Sequence, residues 1–88
     1  MTEEPDVVCF LRKGRSEKFL GPGRGYGKEA IELIRKGYDV VGISRNGEEF
    51  VTESSWLLSI VNLEEPENTI YFSSRDQYNA RYEARKKA

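Results

Sequence analysis

The chain predicts an α+β fold, a small antiparallel sheet built from hairpins with one central helix and a C-terminal helix packed on it. Three observations carry that expectation: short apolar and β-branched runs joined by glycine-containing turns, a stretch from Lys28 to Lys36 with apolar residues at helical spacing, and a C-terminal segment that opens with the spacing of a helix cap. Eighty-eight residues make a single compact domain, 1–88, with one modest core. That size is near the limit at which self-association often supplements stability, so a homo-oligomer is expected.

Met1 to Asp6 is acidic, the reverse of a signal or transit peptide, and is expected to be flexible. Val7 to Leu11 is a continuous apolar run of strand length, and Glu17 to Leu20 returns beside it after Lys13-Gly14. Cys9, the one cysteine, stands among Val7, Val8, Phe10 and Leu11 and reads as a buried strand residue. As a reactive thiol it lacks a histidine to activate it, since the chain has none.

Gly21-Pro22-Gly23-Arg24-Gly25-Tyr26-Gly27-Lys28 holds four of the eight glycines and leads into the helical stretch. Within that stretch Ala30, Ile31, Leu33 and Ile34 recur on one face, and Gly37 stands where a left-handed cap belongs. Asp39 to Ser44 and Glu48 to Thr52 flank Asn46-Gly47, a strong hairpin signal. Ser54 to Leu63, which contains Trp56, fits a short helix or turn and also a buried strand, with the helix or turn favoured. Trp56 itself suits the core or a subunit interface. Glu64 to Asn68 surrounds Pro66 and reads as a loop, and Thr69 to Ser73 as a last strand. Ser74 and Gln77 have capping-box spacing ahead of a helix from Arg75 to about Lys87, on which Tyr78 and Tyr82 form an i, i+4 packing pair.

The net charge of −1 hides a segregation along the chain: −3 over 1–11, +5 over 12–36, −6 over 37–74 and +3 over 75–88. A basic and an acidic face follow, either solvated and mutually paired or used for partners. No apolar run approaches a membrane span, and a cytoplasmic protein is expected.

Lack of histidine excludes Ser-His-Asp and Cys-His catalysis and Cys/His zinc sites. Paired carboxylates are poor candidates too, because adjacent Glu48 and Glu49 on a strand point to opposite faces. The acids about Pro66 do not have the register of a calcium loop. The glycine loop has Pro22 where a phosphate loop needs its first glycine and Glu29 where it needs Ser or Thr, and no βαβ unit follows as in a dinucleotide fold. No enzyme activity, metal or cofactor is therefore expected.

Binding without turnover remains. Backbone amides around Gly23, Gly25 and Gly27, cationic Arg24 and Lys28, and the ring of Tyr26 are the parts of a site for a small phosphorylated ligand such as a nucleotide. The same glycines also suit a plain strand-to-helix connection. The alternative is a protein-binding inhibitor that offers a basic partner an acidic face of Glu48, Glu49, Glu53, Glu64, Glu65 and Glu67. Nucleic-acid strands, which would use Arg12, Lys13, Arg15, Lys18, Arg24 and Lys28, are disfavoured by the acidic middle of the chain.

In size, in its lack of familiar catalytic residues and in the Gly/Arg/Tyr loop, the chain resembles the small proteins that bacteriophages use against host defence. The likeness is one of overall style and rests on Arg24, Tyr26 and Lys28. Some of those proteins sequester cyclic-nucleotide or ADP-ribose signals as oligomers and others inhibit nucleases. The resemblance thus implies an anti-defence role as a ligand binder or an inhibitor.

Overall fold

The computed structural model describes residues 5–52 and 70–87. In them the chain adopts the expected α+β fold. Its elements are β1 (Val7–Lys13), β2 (Ser16–Lys18), α1 (Gly27–Arg35), β3 (Asp39–Ser44), β4 (Glu49–Thr52) and α2 (Arg75–Lys87). The strands form one antiparallel sheet in the order β2-β1-β3-β4. The readings of Ser54 to Leu63 and of Glu64 to Asn68 lie outside the described residues.

Alternation along β1 and β3 sorts the core into two clusters on opposite faces of the sheet. Leu11 and Val40 pack with Ala30 and Ile34 of α1 and with Phe72 on one face. Val8, Phe10, Val41 and Ile43 pack with Phe19 and Tyr78 on the other, so α2 closes that side. Each large buried side chain among them, Phe10, Phe72, Leu11 and Ile43, contributes about 2–3 kcal/mol of burial.

Local chemistry explains most boundaries. Gly14 turns the first hairpin at positive φ, and the return strand is shorter than expected, because Phe19 and Leu20 leave the sheet to enter the two clusters. α1 ends in a Schellman motif: Gly37, at φ 103°, donates to the Ile34 carbonyl and Tyr38 to that of Leu33, each at 3.0 Å. The second hairpin forms about Asn46-Gly47 as expected, with three residues, 45–47, between Ser44 and Glu48. Only Gly47 has positive φ. The Gly47 amide donates to Ser44 O at 3.0 Å and that of Ser44 to Glu48 O at 2.9 Å, a type I turn closed by a glycine bulge. Asn46 Oδ1 braces it by accepting from the Ser44 hydroxyl and from the Glu48 amide. At α2 the capping box forms, with the Ser74 amide donating to Gln77 Oε1 at 3.0 Å and the Gln77 amide to Ser74 Oγ at 3.2 Å.

The expected strand ending at Ser73 is reduced, within the described residues, to single bridges made by Phe72 with Cys9 and with Gly23. β2 stops opposite Leu11, and the backbone groups of Cys9 beyond it are taken by Tyr71 O and the Ser73 amide. α2 is anchored by Arg81, whose buried guanidinium donates to the carbonyls of Ile43, Asp6 and Pro5 at 2.7–2.8 Å. Pro5 and Asp6, expected to belong to a flexible terminus, are thereby tied to the sheet.

Candidate functional site

The glycine loop is laid down in two halves with different duties. Gly21 and Gly23 run antiparallel to Phe72: the Gly21 amide donates to Ser73 O, that of Gly23 to Phe72 O, and that of Phe72 to Gly23 O, at 2.8–3.0 Å. A side chain at Gly21 would overlap the Phe72 carbonyl, so the backbone passes there only because the residue is glycine. This half of the loop is structural.

In the second half Arg24, Gly25 and Lys28 are exposed, whereas Tyr26 is half-buried and Gly27 buried. Gly23 and Gly25 take positive φ, 130° and 99°, and turn the chain into α1. The helix opens at Gly27 after Tyr26, which supplies no side-chain cap; the first intrahelical bond runs from the Ala30 amide to Tyr26 O at 2.9 Å. The amides of the first turn therefore lie at the positive end of the helix without a side-chain cap from Tyr26, in a turn that also carries the Glu29 carboxylate. Arg24 and Lys28 flank them, both exposed. The Arg24 guanidinium lies 6.0 Å from the ring centre of Tyr71. Among the described residues no pocket is enclosed, so this is an open surface.

Tyr26 sits differently from the ring platform that the sequence suggests. It is half-buried against the α1-side cluster, edge-on to Phe72 with centroids 6.4 Å apart. The aromatic side chain beside Arg24 is Tyr71 instead.

Of the acidic set, the described residues include only Glu48 and Glu49; Glu53, Glu64, Glu65 and Glu67 lie outside them, as does Trp56. Glu48 is exposed. Glu49 turns inward on the α2 face, where it pairs with Arg12 Nη1 at 3.1 Å and accepts the Tyr78 hydroxyl at 3.1 Å. Arg12 also pairs with Glu17 at 3.1 Å and stands 5.0 Å over the Phe10 ring. Burial works against the Arg12 charge, but the hydrogen bonds to Glu49 and Glu17 outweigh it and raise its pKa. Burial, then the Glu49 charge, raises that of Tyr78. Arg12 and Glu49 thus serve as a cross-sheet strut between β2, β1, β4 and α2. Sequence reading missed it because its members are far apart in the chain.

Tyr78 and Tyr82 are a packing pair, stacked at 6.0 Å, with Tyr78 continuing into Phe10 and Phe19 at 4.8 and 5.3 Å. Burial pushes the Cys9 thiol from its ordinary 9.0 up to about 11. No group of metal-ligating side chains occurs among the described residues, and none of their helices is long and apolar enough to cross a membrane.

No protein-family model, curated protein or solved structure matches the chain.

Proposed function

We propose that the protein is a non-catalytic binder that holds the phosphate of a small phosphorylated ligand on the surface formed by Arg24, Gly25 and Lys28 at the start of α1, and that it works as a homo-oligomer. The observation that supports this reading is the opening of α1 at Gly27. An uncapped first turn follows a left-handed glycine and is flanked on both sides by exposed cations. An arginine fork and an ammonium group complement a phosphate's charge, and backbone amides add donors that need no side-chain ordering. In this reading Gly23 and Tyr26 shape the loop, Tyr26 by anchoring it on Phe72, and Tyr71, half-buried against the α2-side cluster, is the ring beside Arg24.

The test is isothermal titration with nucleoside mono- and diphosphates, cyclic dinucleotides and ADP-ribose, on the parent and on an Arg24→Ala/Lys28→Ala variant. The parent binds at least one of these. The variant, with an unchanged circular dichroism spectrum, binds it roughly a hundredfold more weakly, as two lost charge-assisted contacts of about 1.5 kcal/mol each require. A parent that binds none of the panel, or a variant that binds equally well, removes the proposal.

A further inference from the structure

β4 forms one end of the sheet in the described residues, and it carries the two large apolar side chains that are most exposed there, Phe50 at 47% and Val51 at 63%. The hydrogen-bond phase of the hairpin fixes what its outer edge offers. Ser44 and Glu48 are bonded to each other, so by antiparallel alternation Phe50 and Thr52 turn their amides and carbonyls toward β3. Glu49 and Val51 turn theirs outward. Of the devices that block sheet edges, Glu49–Thr52 lacks lysine, proline and an internal bulge and pairs with β3 in unbroken register, although it is only four residues long and carries the inward-turned charge of Glu49. The opposite edge differs: β2 has only three residues, one of them Lys18, and the chain beyond it is met by Phe72.

We infer that β4 pairs antiparallel with β4 of a second copy of this chain about a two-fold axis at Phe50, joining the two sheets into one. The register follows from self-complementarity. With Phe50 opposite the second copy's Phe50, Glu49 lies opposite Val51 and Glu48 opposite Thr52, so no like charges face each other. Both members of each Glu49–Val51 pair turn their backbone groups outward, and the two pairs supply four main-chain hydrogen bonds. The Glu49 carboxylate is already held by Arg12 and Tyr78 on the α2 side and does not repel the incoming strand. On the other face the Phe50 ring leans back over Gly42 of β3, whose missing side chain leaves room for it: a Cβ there would meet the ring at 2.6 Å. The ring thus keeps clear of the outer edge and does not obstruct the incoming strand. Pairing centred on Val51 instead would set Glu49 against Glu53, and the charges disfavour it.

This inference rests on the homo-oligomer of the proposed function and gives it an interface. Its test reads self-association without ligand, so it stands or fails separately from binding at Arg24 and Lys28. Light scattering on size-exclusion chromatography of the parent should give twice the chain mass of 10.1 kDa. Val51→Pro removes an outward amide that β3 does not use, and Val51→Lys adds a charge at an exposed position; both should run as monomers with parental circular dichroism. For the register, Phe50→Cys, at a non-hydrogen-bonded pair on the axis, should oxidise readily to a disulfide-linked dimer, whereas Thr52→Cys should not. A parent that is monomeric up to its solubility limit overturns the inference, as does a dimer that survives Val51→Lys. Cross-linking of Thr52→Cys in preference to Phe50→Cys overturns the register.

Discussion

Arg81 is the residue on which most separate pieces of the molecule converge. A guanidinium at 5% exposure is tolerated because its donors reach three carbonyls, and those carbonyls are in turn satisfied by it. Arg81→Met keeps most of the volume but strands the carbonyls, and should lower unfolding stability by about 3 kcal/mol in urea titration, well above the value for an exposed arginine such as Arg75. Cys9 makes the converse point about a group held neutral. Its thiol is displaced upward to about 11, so at pH 8 the folded chain should react with iodoacetamide roughly a hundredfold more slowly than the unfolded chain. Because the folded value lies above the ordinary 9.0, the thiol's contribution to stability is complete below pH 9 and lost as pH rises through about 11. Equal alkylation rates in the two states would contradict this. Neither role was legible in sequence as such. Cys9 reads as buried from its neighbours, but nothing local marks Arg81, whose partners lie 38 to 76 positions away.

Elements were legible where their signals are local. Gly37 after Lys36, Ser74 with Gln77 and the β-branched run of Asp39 to Ser44 each give the element that forms. The second hairpin shows the limit of such signals. Asn46-Gly47 marks the turn, but Asn46 stays at negative φ because Ser44 and Glu48 close a longer loop braced by the Asn46 side chain. What selects that form includes contact with α2: a Cβ on Gly47 would overlap Arg85 Cβ and stand 2.7 Å from Arg81 O. Gly37 and Gly47, both at positive φ, should therefore respond differently to alanine. At Gly37 a Cβ meets only the flexible end of Lys13 at 3.4 Å, and the cost should be about 1 kcal/mol, the backbone term alone. At Gly47 the helix must shift as well, and about 3 kcal/mol is expected. Thermal or urea unfolding of the two variants compares them directly, and equal losses would show that α2 does not press on the turn.

At the scale of the whole molecule, the segregated charge of the sequence resolves into separate structures. Part of it is paired internally: Arg12 bridges Glu17 and Glu49 across the sheet. The sequence displays these as members of a basic and an acidic stretch, since pairing across strands cannot be seen in a linear count. Part of it stays on the surface, where Arg24 and Lys28 flank the start of α1. The glycine loop was visible as a motif, yet its division was not: Gly21 is demanded by the close passage of Phe72, whereas Gly23 and Gly25 turn the chain at positive φ and leave Arg24 and Gly25 exposed. The central claim is that this second half of the loop holds a phosphorylated ligand. Native mass spectrometry of the parent and of Arg24→Ala/Lys28→Ala, both purified from cells and then offered the titration panel, tests it most directly. The account predicts a phosphorylated small molecule on the parent that is lost from the variant. Equal retention by both proteins, or a parent that takes up nothing from the panel, would contradict it.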